Sequence, residues 1–233
     1  MRQFRKQGPA QRAEAFAAEA EGLEALRPYI RVPRVLDRGV EGAKAFIVLE
    51  YLELSAGGDF AALGGALASL HRNSGPRFGW PRDNYIGLGL QENGWCDDWA
   101  EFFRERRIKP QLERAGLRVK LDALDRILDG HSPRPSLLHG DLWSGNAGFT
   151  REGPVVFDPA VYYGDREADL AMTELFGGFP PEFYRAYSEA LPLEPGYERR
   201  KHLYNLYHLL NHLNLFGGGY LAQVKSTLRL LGL

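Results

Sequence analysis

His139-Gly140-Asp141-Leu142-Trp143-Ser144-Gly145-Asn146, followed by Asp158, is the stretch on which the reading of this chain turns. Apolar residues flank it on both sides. Pro135-Ser136-Leu137-Leu138 leads into His139, and Val155-Val156-Phe157 ends at Asp158. Two carboxylates and one amide therefore sit on or beside short strand-like pieces. Gly140 and Gly145 ease the tight turns that such an arrangement needs.

Phosphoryl transfer from ATP calls for this set of groups. One carboxylate orients and deprotonates the attacking hydroxyl, while a second carboxylate and an amide oxygen hold Mg²⁺ on the phosphates. Mg²⁺ is a hard cation and prefers oxygen ligands. The Asp-x-x-x-x-Asn spacing is that of a protein-kinase catalytic loop, with a metal-binding Asp further on. Asp141 is thus the candidate base, and Asn146 and Asp158 are the candidate metal ligands. Singly, Asp and Asn also serve as turn and cap residues. The whole set between apolar strands is a more specific signal.

A second signal lies upstream. Kinase folds present a Lys to the α- and β-phosphates and pair it with a helix Glu. Lys6, at the end of a possible strand, and Glu19, on the stripe of Phe16 and Leu23, are placed as such a pair would be. A solvated Lys near a terminus and a surface Glu remain the alternative. The apolar run 46–52 leads into a connection where backbone at Glu50 to Leu52 could hydrogen-bond adenine. No glycine-rich hairpin precedes Lys6.

The bulk composition narrows the field. The chain has 233 residues, 44% hydrophobic and 25% charged, which is ordinary for a soluble globular protein. Lys plus Arg is 29 and Asp plus Glu 30, so a net charge of −1 offers no footprint for nucleic acid or an anionic membrane. The single cysteine, Cys96, suits a reducing, cytoplasmic setting. No signal peptide and no membrane-spanning run is expected.

Along the chain, periodicity predicts a helix over 9–27, strands over 32–37 and 45–52, and a hairpin turn at 38–42. Beyond Ser55-Ala56-Gly57-Gly58 a helix carries Phe60, Leu63, Leu67 and Leu70 on one face. Residues 72–95 read as a long ordered loop. Helix returns at 95–116 and 121–128. Short apolar pieces follow at 136–139, 147–150 and 155–157, and helix runs from 165 to the end. The expected fold is α+β, in two parts: 1–53 on the nucleotide side and 54–233, mostly helical, on the catalytic and substrate side. The cleft between them is the natural ligand site.

Several segments together resemble the fructosamine (ketosamine) kinase family, of the aminoglycoside-phosphotransferase and choline-kinase-like group. They are FAAEAEGLEAL (16–26), FIVLEYLEL (46–54), FGWPRDNYIG (78–87), NGWCDDWAEFFRERR (93–107), LLHGDLWSGN (137–146) and FDPAVYYGDREADLAMTELFGG (157–178). The resemblance implies a protein-kinase-like two-lobed fold whose N-terminal lobe is shortened, either through a misassigned start or naturally. It implies an ATP- and Mg²⁺-dependent kinase acting on sugar–amine adducts, small or protein-bound. The 3-phosphorylated product is unstable, so such an activity repairs glycation. In those terms Asp141 is the base, Asn146 and Asp158 hold the metal, and Lys6 and Glu19 form the phosphate-contacting pair. A kinase for another small alcohol or amino sugar, and a nucleotide-binding pseudokinase, remain as alternatives.

Other features are weaker. Trp143, two residues after Asp141, is a candidate floor for a sugar, with Asp83, Asn84 and Trp95 as further substrate candidates and Asn93 beside them. His208 and His212 lack the Glu of a zincin motif and read as helix histidines or cleft lining. Asp59 reads as a helix cap and Gly217 as a helix end. The sequence leaves the oligomeric state open.

Overall fold

A computed structural model describes residues 2–233. The chain opens with strand β1 (Gln3–Pro9), a 3₁₀ turn (Ala10–Arg12) and helix α1 (Ala13–Leu26). Strands β2 (Val35–Glu41) and β3 (Lys44–Glu50) complete an antiparallel sheet of order β1-β3-β2. β3 is central and is buried from Ala45 through Leu49, so it reads as an unbroken apolar run. Phe16, Ala20, Leu23 and Leu26 are the buried stripe of α1, which packs on this sheet.

The hairpin turn lies later than its sequence suggests. β2 runs to Glu41, and the turn is Gly42-Ala43, where Gly42 takes φ +58°. Gly39, the other glycine of the stretch, lies instead under the Phe46 ring, its Cα position leaving 3.3 Å for a Cβ. Packing claims one glycine and turn geometry the other.

Helix α2 (Phe60–His71) starts at Asp59, whose carboxylate accepts from the Ala62 N–H at 2.8 Å. The segment read as a long loop holds four three-residue strands: β4 (Phe78–Trp80), β5 (Asn84–Ile86), β6 (Gly89–Gln91) and β7 (Gly94–Cys96). Strands this short carry no measurable alternation, which is why periodicity misses them. β5 and β6 form a hairpin. β4 and β7 join β8 (Ser136–Leu138) and β11 (Tyr162–Gly164) in a sheet of order β7-β4-β11-β8. β11 falls in the short gap between the apolar piece read at 155–157 and the helical region read from 165.

Helices α3 (Trp99–Phe103) and α4 (Lys109–Arg114) are joined by a π-helical turn (Arg104–Ile108), and α5 (Asp122–Leu128) follows. β9 (Ala147–Thr150) and β10 (Gly153–Val156) form the hairpin between Asn146 and Asp158. Helices α6 (Glu167–Leu175), α7 (Pro181–Ala190), α8 (Tyr197–Phe216) and α9 (Leu221–Leu231) close the chain, with Gly217 ending α8 at φ +86°. One continuous apolar core links residues from α1 to α9. Among the described residues no helix is long and apolar enough to cross a membrane.

Candidate active site

The residues of the candidate catalytic loop are held from behind by one carboxylate. Asp169 on α6 accepts the N–H of His139 at 2.7 Å and that of Gly140 at 2.8 Å. His71, at the end of α2, meets the same carboxylate at 3.1 Å through Nε2, and its Nδ1 lies 2.8 Å from the Tyr187 hydroxyl. With a carboxylate on Nε2, that nitrogen carries the proton. Burial acts to raise the Asp169 carboxyl, but its hydrogen bond with His71 and the other donors hold it below the usual range. Gly140 takes φ +82°, and a Cβ there would come 2.0 Å from the Ala160 carbonyl. The loop can run this close to Ala160 only as glycine.

Asp141 then faces Asn146, whose amide nitrogen donates to the Asp141 carbonyl at 2.8 Å and to its carboxylate at 3.1 Å. With the nitrogen so committed, Asn146 Oδ1 accepts no hydrogen bond among the described residues. Burial pushes the Asp141 carboxyl up to about 7, with the charges of Asp158 and Asp169 adding to the shift and Asn146 opposing it. His139 is fully buried and its pKa is lowered, mainly by that burial. Its Nε2 lies 3.1 Å from the Phe157 carbonyl, and its Nδ1 accepts the Asp141 N–H at 3.3 Å. His139 thus ties the catalytic loop to the strand that delivers Asp158.

Asp158 has φ +58°, the one positive value at a non-glycine among the described residues. Such backbone outliers cluster at functional sites. Lys6 bridges the sequence-distant parts: Nζ lies 2.8 Å from Glu19 and also contacts the Asp158 carboxylate. Burial works against the Lys6 charge, but Glu19 and Asp158 prevail and hold its pKa above the ordinary value. Asn146 Oδ1 and the half-exposed Asp158 carboxylate are hard oxygen donors, so the residues present fit Mg²⁺.

Two hollows meet at Asp158 and Lys6. One, of about 300 Å³, is apolar and is lined by Phe4, Pro33, Leu49, Tyr51, Leu54 and Phe157. Glu50 and Leu52 also line it, and their backbone groups differ. The Glu50 N–H is taken by the Arg34 carbonyl at 2.8 Å, and its carboxylate pairs with Arg34. Leu52 has no backbone hydrogen bond among the described residues, so of the two it is the one with free groups. The other hollow, about 500 Å³ and polar, is lined by Lys6, Arg12, Glu19, Asp158 and the tip of the β5–β6 hairpin.

The substrate candidates divide. Trp143 is half-buried, stands over Gly145 and meets Phe176 edge-on at 6.0 Å. Phe176 in turn lies 4.7 Å from His212, which therefore belongs to an aromatic cluster rather than a metal site. His208 is buried, with Nδ1 unpaired. Asn84 is corrected from hydroxyl reader to brace: it is 3% exposed, donates to the Val161 carbonyl and accepts from Gln91 and Asn93. Asp83 accepts the Asn93 N–H at 2.8 Å. Trp95 is exposed beside a hollow lined by Glu101, Glu105 and Arg106 and takes no part in the Asp141–Asp158 grouping. Asp169 and His71 escaped the sequence reading. The one signal for Asp169 was its place in the DREAD segment, two residues after Glu167.

With this geometry in place, the comparisons with known proteins fall into line. The sequence profile described as "Fructosamine kinase" matches residues 1–232. A Synechocystis protein named "Probable ketoamine kinase" is 48% identical over 240 residues, covering 97% of this chain and 81% of that protein. A rice protein named "Protein-ribulosamine 3-kinase, chloroplastic" is 41% identical over 91% of this chain and 67% of its own length. A crystal structure of a fructosamine-3-kinase candidate from Haemophilus somnus superposes with TM-score 0.92 at 34% identity, covering 98% of this chain and 83% of that one. An aminoglycoside-3′-phosphotransferase of type VIII shares the fold at TM-score 0.54 and 19% identity, covering 87% of this chain and 84% of the other.

Proposed function

The chain belongs to the fructosamine kinase family, and on that premise we propose that it is a phosphotransferase that moves the terminal phosphoryl group of ATP onto a hydroxyl of a ketosamine. The acceptor class comprises fructosamine or ribulosamine adducts of lysine, free or within a protein, and the activity serves deglycation. The observations that support this reading are that Lys6 meets both Glu19 and Asp158, and that Asp141 meets Asn146, whose carbonyl accepts the N–H of Phe157 next to Asp158 at 3.0 Å.

Each residue has a role in that reading. Asp141, held against Asn146 and shifted toward neutrality by burial, takes the proton of the attacking hydroxyl. Asn146 Oδ1 and the Asp158 carboxylate hold Mg²⁺. Bound there, the cation would neutralise charge on the phosphates. Lys6 contacts phosphate oxygens, and Glu19 keeps its ammonium in place. The apolar hollow takes the adenine, with the free Leu52 backbone groups in hydrogen-bonding reach of its edge. Trp143 forms the floor beneath the sugar. Residues 1–53 serve the nucleotide, and 54–233 serve catalysis and substrate.

The test is to incubate the protein with Mg·ATP and glycated lysine and look for the phosphorylated ketosamine by mass. A set of simple amino sugars and alcohols serves as the competing acceptor panel. Phosphorylation of the ketosamine in preference to that panel is expected. Turnover confined to another acceptor, or nucleotide binding with no turnover on any, would sink the ketosamine reading.

A further inference from the structure

Arg12 is a cation in the polar hollow that nothing in the catalytic account uses. It lies in the 3₁₀ turn ahead of α1 and lines the hollow with Lys6, Glu19 and Asp158. The Arg12 side chain makes no hydrogen bond and no ion pair among the described residues. Its charge is nonetheless felt nearby, since it helps offset the rise that burial imposes on the Glu19 carboxyl. A guanidinium offers several N–H donors, and at this position none has an acceptor among the described residues.

The side chain is also built into a slot. On one side is Gly8 of β1, where a Cβ would come 2.7 Å from Arg12 Cδ. On the other is the Phe16 ring, buried in the core, with the guanidinium carbon 5.2 Å from its centroid. A glycine makes room for the stem, and an aromatic face supports the head. A surface arginine left to solvent needs neither.

Charge balance in the hollow says what it would meet. Lys6 is matched by Glu19, and Asp158 is reserved for the metal. Arg12 is then the cation left over, in a cleft whose proposed occupant carries a polyphosphate. Guanidinium groups bind phosphate oxygens through paired, charge-assisted hydrogen bonds. We propose that Arg12 is a second phosphate-binding cation of the cleft, gripping the terminal phosphates of the nucleotide beside Lys6. The inference rests on the reading of this cleft as the nucleotide site.

Calorimetric titration of the whole chain with Mg·ATP, Mg·ADP and adenosine tests it. Arg12→Ala weakens Mg·ATP binding about tenfold, the scale of one lost charge-assisted contact, and leaves adenosine binding unchanged. Arg12→Lys, which keeps the charge but not the fork, falls between. Gly8→Ala pushes the Arg12 stem aside and weakens Mg·ATP binding in the same direction, with its melting temperature confirming the fold. Wild-type affinity for Mg·ATP in Arg12→Ala overturns the proposal, as does a rise confined to the ketosamine KM. If the wild-type chain binds Mg·ATP and only the arginine variants disagree, this inference alone fails. If the wild-type chain binds no nucleotide, the kinase reading fails with it.

Discussion

Asp169 braces the 139–141 loop from behind. It accepts two backbone N–H groups of that loop and a side-chain contact from His71, all of them buried. Removing it leaves three buried donors unpaired. Asp169→Ala is expected to cost about 3 kcal/mol or more, read as a lower urea midpoint at unchanged slope. Wild-type stability in that variant would mean that the loop is anchored elsewhere. The candidate chemical residues stand out in sequence because phosphoryl transfer would fix both their type and their spacing. Asp141, Asn146 and Asp158 are of that kind, and Lys6 with Glu19 follows from strand and helix order. Asp169 and His71 were not legible, because their roles come from contacts across 98 residues of sequence. Asn84 misled for the converse reason. A loop asparagine beside aromatic residues looks like a sugar contact, and only burial reveals it as a brace.

At the scale of elements, α2 and α7 show how packing chooses between neighbouring glycines. A Cβ on Gly64 would lie 2.3 Å from the Phe183 carbonyl, whereas Gly65 has open space at the same point. Gly64→Ala must push α7 away and is expected to lose about 1–3 kcal/mol. Gly65→Ala keeps the contact and adds helix propensity, gaining roughly 0.5–1 kcal/mol. Thermal melts of the two variants should shift in opposite directions, and equal shifts would refute this packing. The sequence showed long elements well, since the stripe Phe60, Leu63, Leu67 and Leu70 needs three turns to declare itself. It hid β4 to β7 and β11, each three residues long and too short to show alternation, and the β11–β4 pairing joins partners far apart along the chain. The β2–β3 turn was displaced because either Gly39 or Gly42 could have supplied it. Only the Phe46 ring over Gly39 decides between them.

The whole molecule is tied together by polar joints as well as by its core. His131, after α5, meets Asp165 at 2.6 Å, just ahead of α6, and Glu194 at 3.1 Å, ahead of α8. Asp165 also accepts from the Tyr204 hydroxyl on α8 and from the Glu167 N–H. Burial acts to lower the His131 pKa, but the hydrogen bond and charge of Asp165 prevail, and it stands above its ordinary 6.5. A raised pKa means that the folded chain holds this proton more tightly than the unfolded one. The resulting stability is fully present below about pH 6.5 and is lost as pH rises through the folded value. Melting temperatures of the wild type and His131→Gln should therefore differ most at pH 5.5–6 and converge in alkaline buffer. A gap that stays constant or widens with pH would contradict the joint.

In the proposed reaction Asp141 deprotonates a ketosamine hydroxyl. That role is tested most directly by the turnover rate of Asp141→Asn with Mg·ATP and glycated lysine, both saturating. Asparagine keeps the size and the Asn146 contact but cannot take the proton. A fall in kcat of about 100-fold or more is expected, with Mg·ATP affinity little changed. A rate equal to the wild type's would remove Asp141 from its role.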